Sequence, residues 1–187
     1  MKIIRSSISG LFIIEPTLHG DSRGYFFESY NVRDFAQQTG LDISFVQDNE
    51  SKSRRGVVRG LHFQRPPFAQ SKLVRVVEGR VLDVAVDIRR GSPTYGQYEA
   101  VELTADNHRQ FFIPKGFAHG FAVLSSEAVF QYKCDAYYEP TSEDAIAWDD
   151  PSIGIDWQLS QAEVILSDKD RTHRPVAELD SPFLYES

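Results

Sequence analysis

The chain has 187 residues, 41% of them apolar and 12% aromatic, enough to bury one sizeable core, so a single domain over 1–187 is expected. Its 20 Lys and Arg stand against 27 Asp and Glu, and the net charge of −7 excludes the broad cationic face needed to coat nucleic acid, leaving room only for a local phosphate site. The lone Cys134 excludes an internal disulfide, and no stretch reaches the roughly 20 consecutive apolar residues of a spanning helix or the apolar run of a signal peptide, so a soluble cytoplasmic protein without a membrane partner is expected.

Thirteen Phe, eight Tyr, twelve Gly and nine Pro favour strands joined by turns, and the class is mainly β. Residues 8–14 read as a strand that could pair across a dimer. A short helix is expected over 32–40. Residues 72–78 alternate, with Lys72, Val74 and Val76 on one face, and a turn follows at Glu78 and Gly79. Residues 80–88 read as a half-buried strand carrying Leu82, Val84, Val86 and Ile88 together, closed by Gly91 and Pro93. Phe117, His119, Phe121 and Val123 share an apolar face, as do Phe130, Tyr132 and Cys134, whose alternates Gln131, Lys133 and Asp135 face water. Residues after Ser160 have a helical pattern, and about 171–187 read as a peripheral tail, surface-hugging or loose. The pattern predicts a sandwich or barrel with a few short peripheral helices.

Chemistry gathers in four places. R-G-L-H-F-Q at 59–64 joins a basic residue and a histidine to a glycine that permits close approach, although a lone barrel histidine also reads as a satisfied core group. P-K-G-F-A-H-G-F at 114–121 directs His119 inward; the two segments resemble the two cupin motifs, and the fold expected is a cupin jelly roll. Metal-binding cupins carry H-x-H here, whereas this chain has Gln64 in place of the second histidine, and an amide is a poor ligand for zinc or iron, so neither a metal nor any other cofactor is expected. What remains is His62, His119, Lys72 and Tyr132, a set suited to moving protons. Lys72 either snorkels to the rim or meets an anion. Arg23, in D-S-R-G-Y-F-F-E at 21–28, suits an anion site or equally a surface ion pair with Asp21 or Glu28. L-S-D-K-D at 166–170 reads as a polar turn whose carboxylates could orient an imidazole.

These segments, with Q-D-N at 47–49, V-D-I-R-R-G-S-P-T-Y-G at 86–96, Q-Y-K-C at 131–134 and D-P-x-x-G-I-D-W at 150–157, resemble the dTDP-4-dehydrorhamnose 3,5-epimerase family over nearly the whole chain up to Asp170. The resemblance implies a metal-free homodimer of cupin subunits, converting dTDP-4-dehydro-6-deoxy-D-glucose to dTDP-4-dehydro-L-rhamnose for cell-surface polysaccharide. It implies His62 as base, Tyr132 as acid, Asp170 paired to the histidine and Lys72 on the keto oxygen. It further implies substrate contacts from Gln47, Asn49, Arg59, His119 and Tyr138, peripheral contacts from Glu143 and Lys169, and nucleotide contacts from Arg23 and Glu28 of the partner subunit. Arg171-Thr-His-Arg174 departs from the small residues expected there and leaves the role of the terminus open.

Two points remain for the structure. Strict alternation puts Arg59 and His62 on opposite faces unless Gly60 bends the strand. Tyr132 serves as the acid if Lys72 and a closed interior draw its pKa toward neutrality. Other readings are an epimerase acting at one carbon only, a ketoisomerase for another deoxysugar, and a non-catalytic sugar-nucleotide-binding cupin.

Overall fold

The computed structural model describes residues 1–186. In chain order the strands are β1 (Lys2–Arg5), β2 (Phe12–Glu15), β3 (His19–Asp21), β4 (Gly24–Phe26), β5 (Gln47–Arg54), β6 (Val58–Gln64), β7 (Lys72–Glu78), β8 (Arg80–Asp87), β9 (Tyr98–Thr104), β10 (Gln110–Ile113), β11 (Phe117–Val123), β12 (Glu127–Cys134) and β13 (Glu143–Ala145). One helix, α1 (Val32–Thr39), lies between β4 and β5. A six-stranded sheet, β1-β2-β10-β7-β12-β5, faces a five-stranded sheet, β13-β6-β11-β8-β9, while β3 and β4 form a separate hairpin. This is the expected mainly β, cupin-type sandwich.

Alternation decides what lies between the sheets. Val74, Val76 and Phe130 from one sheet meet Val81, Ala85, Phe117, Phe121 and Val123 from the other. Each buried Val or Phe among them stabilises the fold by roughly 1.5–3 kcal/mol. The outer face of the six-stranded sheet is covered by α1, whose Phe35 packs on Phe12, Leu73 and Phe112. That helix starts where the Asn31 side chain accepts from the backbone N–H groups of Arg33 and Asp34, and it stops at Gly40.

Four expectations need correction. The 80–88 strand is buried on both faces, not one, because Leu82, Val84, Val86 and Ile88 are covered by the C-terminal segment. Residues 8–14 do not make one strand: Ile8 and Leu11 turn into the central core, and β2 is paired on both sides, by β1 and β10. Residues after Ser160 form no α-helix, only turns and two short 3-10 segments, Lys169–Arg171 and Val176–Glu178, because the chain there lies against the sheet and satisfies its backbone group by group. The stretch read as a peripheral tail places Val176, Leu179 and Phe183 in the core behind the five-stranded sheet. Two of the motifs quoted from the sequence prove to be joints in this packing. Asp87 accepts hydrogen bonds from Arg89, Ser92 and Thr94, and Asp150 accepts from Ser152 and from the backbone of Val176.

Candidate active site

One end of the space between the sheets stays open as a cavity of about 460 Å³. Eight of the residues singled out from the sequence line it: Arg59, His62, Lys72, His119, Tyr132, Glu143, Lys169 and Asp170. A second compartment of about 280 Å³ shares His62, Lys72, Tyr132 and Glu143 with the first and adds Gln47, Asn49 and Tyr138. Arg23 and Glu28 line neither space. Arg23 instead pairs with Asp21 at 2.6 Å on the exposed β3–β4 hairpin, as a surface ion pair would.

Local geometry answers the question of Arg59 and His62. On β6, Arg59 lies opposite Phe121 and His62 opposite His119, so three steps on one strand face two on the other. This is a β-bulge, and the extra residue returns both side chains to the inner face. It is made possible by two glycines in close approach. A Cβ on Gly60, at φ +132°, would lie 2.6 Å from the Gly120 Cα, and one on Gly120 would lie 2.5 Å from the Arg59 carbonyl oxygen.

His62 and Asp170 form a pair at 2.6 Å, through Nε2 and Oδ1. The aspartate is held in turn by Ser167, whose hydroxyl donates to Oδ2 at 2.7 Å. Burial pushes the Asp170 carboxyl up, but the hydrogen bonds from His62 and Ser167 outweigh it and hold the group below its ordinary range, as a carboxylate. With Nε2 occupied, Nδ1 is the nitrogen left to take a proton. His119 is paired with Asp83, at 3.0 Å to each carboxylate oxygen, deeper in the fold. Burial drives the His119 pKa down, against the pull of Asp83, and keeps the ring neutral.

Lys72 and Tyr132 come from the opposite sheet, with the ammonium 6.0 Å from the tyrosine ring centre. Burial lowers the Lys72 pKa, opposed by Cys134, Asp83 and Glu143. Burial also raises the Tyr132 pKa. This reverses the expected drift toward neutrality: desolvation of the phenolate outweighs the pull of the Arg59 cation, so the phenol keeps its proton. Cys134 is the buried small side chain that was expected, its thiol pushed up to about 11 mainly by burial.

A family model described as dTDP-4-dehydrorhamnose 3,5-epimerase matches residues 5–178. The chain belongs to the dTDP-4-dehydrorhamnose 3,5-epimerase family. It is 55% identical to the Salmonella typhimurium protein of that name over 161 residues, which is 86% of this chain and 88% of the relative. It is 52% identical over 178 residues to the one from Methanothermobacter thermautotrophicus, 95% of each. Its fold matches, with a TM-score of 0.95 and 49% identity over 100% of this chain and 99% of the other, the crystal structure of a Legionella pneumophila 3,5-epimerase in complex with dTDP-4-keto-L-rhamnose.

The metal set of other cupins does not fit this family member. Gln64, at the position of their second histidine, spends its amide on structure: it donates to the carbonyls of Phe68 and Tyr137 and accepts from the Glu139 N–H, at 2.6, 3.1 and 2.7 Å. Lys169 pairs with Glu143, which also accepts from the Tyr138 hydroxyl at 2.8 Å. Gln47 donates to Asn49 at 2.9 Å and accepts from the Tyr138 N–H, tying the second compartment together.

Sequence reasoning missed Asp83 and His173. Asp83 sits one step out of phase with the apolar set of β8, the signal that it faces the cavity side with Val81 and Ala85. His173 carried no such signal, because its position depends on an irregular segment folding back over β6.

Proposed function

We propose that the chain converts dTDP-4-dehydro-6-deoxy-D-glucose to dTDP-4-dehydro-L-rhamnose by removing and returning protons at carbons 3 and 5. One observation carries this reading: a base and an acid line the same cavity from opposite walls, His62 on the five-stranded sheet and Tyr132 on the six-stranded one. Epimerisation needs that arrangement, because the proton must leave one face of the sugar and return on the other.

A hydrogen beside a ketone is weakly acidic, and abstraction becomes feasible when the developing enolate oxygen meets a preorganised cation, the role of Lys72. His62 takes the proton at Nδ1, and Asp170 stabilises the imidazolium that forms. Tyr132, still protonated, delivers a proton from the other wall; its raised pKa does not bar the step, because an enolate carbon is far more basic than a phenolate. Between the two carbons His62 gives its proton to solvent and Tyr132 regains one from it, and the sequence then runs again at the second carbon. Arg59 and His119 hold the sugar end in the main cavity, with Glu143 and Lys169 at its edge, while Gln47, Asn49 and Tyr138 line the adjoining compartment.

Arg23 and Glu28 serve the nucleotide of a second subunit in a homodimer, their hairpin reaching across to the partner's cavity. No described helix is long and apolar enough to cross a membrane, in keeping with an enzyme that works on nucleotide sugars in the cytoplasm, and the rhamnose product line leads to surface polysaccharide.

The test is proton NMR of dTDP-4-dehydro-6-deoxy-D-glucose in heavy water with the purified protein. Deuterium is expected at carbons 3 and 5, with the rhamno product trapped by reduction. Exchange at one carbon reduces the activity to a single epimerase, and no exchange sinks the reading in favour of a binder.

A further inference from the structure

The segment 171–174 brings a second imidazole to the His62–Asp170 pair. His173 Nε2 lies 3.7 Å from Asp170 Oδ1, on the same oxygen that holds His62. The two rings meet edge-on, 5.8 Å between centres at 85°. His173 Nε2 is buried and, alone among the buried side-chain nitrogens and oxygens of the described residues, has no hydrogen-bond partner. One ligand atom from each of His62, Asp170 and His173 lies within 4.8 Å of the others.

We propose that His62, Asp170 and His173 form a site for a divalent transition ion of the zinc class, and that the ion silences the enzyme by occupying its base. Two imidazoles and one carboxylate are a donor set that selects zinc or cobalt over magnesium and calcium, which want oxygen. A tetrahedral ion bound at about 2.0–2.2 Å holds its ligand atoms roughly 3.3–3.5 Å apart. The Asp170 to His173 separation is already close to that value, and the His62 to Asp170 pair has to open by only about 1 Å. Ser167 fixes the other carboxylate oxygen and leaves Oδ1 for the ion, the outer support such sites use. The ion takes Nε2 from the proton that His62 and Asp170 share, and solvent carries that proton to Nδ1, so the bound ring stays a neutral imidazole with no free nitrogen left to act as a base. Solvent or a substrate oxygen completes the shell from the cavity side. The site is distinct from the cupin metal set, since two of its three ligands come from the C-terminal segment and Gln64 takes no part.

The claim of a site is independent of the epimerase reading, whereas silencing rests on it. Two readouts separate them. Cobalt(II) titrated into the full chain without substrate should develop the visible bands of a four-coordinate nitrogen and oxygen site at one ion per chain. Zinc measured by equilibrium dialysis should bind His173→Ala and Asp170→Asn at least about tenfold more weakly than the unaltered chain. Cobalt should broaden the imidazole NMR signals of His62 and His173 in the unaltered chain before those of His19 and His108, so the test survives a variant that fails to fold. In the exchange assay, zinc should stop the unaltered chain and chelator restore it, while His173→Ala, referred to its own rate in chelator, needs at least about tenfold more zinc. A hydrated six-coordinate cobalt spectrum, equal zinc affinity in His173→Ala, or broadening that starts at His19 or His108 overturns the site. Binding at the site with turnover untouched by zinc overturns the silencing alone.

Discussion

Two imidazole–carboxylate pairs sit side by side in this molecule, His62 with Asp170 and His119 with Asp83, and their histidines are register partners on β6 and β11. They differ in depth and in the source of the carboxylate. The His62 side chain is 26% exposed and its aspartate comes from the irregular C-terminal segment, whereas His119 is 8% exposed and its aspartate belongs to the adjoining strand β8. Access and an orienting carboxylate suit the first pair to accepting a proton from a substrate. Enclosure within the sheet makes the second a neutral hydrogen-bonding fixture. The same residue types therefore perform different work according to whether solvent and substrate can reach them.

The sharpest way to break this comparison is to remove each imidazole. His62→Ala should lower both deuterium exchange and product formation by on the order of 10³-fold, while His119→Asn keeps exchange at a measurable fraction and raises KM. Equal loss would mean that the two pairs share one role. Tyr132→Phe, on the opposite wall, should still exchange protons but invert carbon 5 poorly; loss of exchange as complete as in His62→Ala would dissolve the division between base and acid.

Lys72→Met should lower kcat by on the order of 100-fold and at the same time raise the melting temperature at neutral pH. The sign follows from burial. Because the folded chain lowers the Lys72 pKa, its ammonium binds its proton more weakly when folded, and the protonated form disfavours the fold below that lowered value. The penalty vanishes once the pH exceeds the ordinary lysine pKa, so the stability gain of Lys72→Met should shrink in alkali. A variant that melts lower than the unaltered chain at pH 7 would show that Lys72 is held by a favourable partner.

Asp170→Asn tests the opposite sign. Its carboxyl is held below the ordinary value in the folded chain, so it adds stability above the ordinary aspartate pKa, and this is lost as the pH falls through the lowered one. Urea midpoints of Asp170→Asn and the unaltered chain should differ at pH 7 and converge on acidification. The smallest effect is expected at the surface. Glu163 is held at about 2, first by hydrogen bonds from Ser160 and then by Arg55, so Arg55→Ala should raise it only part of the way, by carbon-detected NMR titration, with little change in the urea midpoint. A large destabilisation there would contradict the view that depth, rather than pairing, sets the value of these ion pairs.

Much of this was legible in residue order. Strand faces on β7, β11 and β12 follow from period-two alternation, a local property of the backbone, and the inward placement of Lys72, His119 and Tyr132 follows with them. The short helix was readable over 32–40, whereas its Asn31 cap came from the structure. The irregular C-terminal segment was not readable, since its path is set by the sheet beneath it and not by any period of its own.

The sequence by itself determined the class of fold and the inner faces of the strands, with Lys72, His119 and Tyr132 on them, because each is encoded within a few neighbouring residues. Only the tertiary structure decided that a bulge at Gly60 turns Arg59 and His62 to the same side, that Asp83 belongs to His119, and that His173 joins Asp170 beside His62. Those facts depend on contacts between segments up to a hundred or so residues apart, and on how desolvation in the assembled cavity keeps a proton on Tyr132 while loosening one on Lys72.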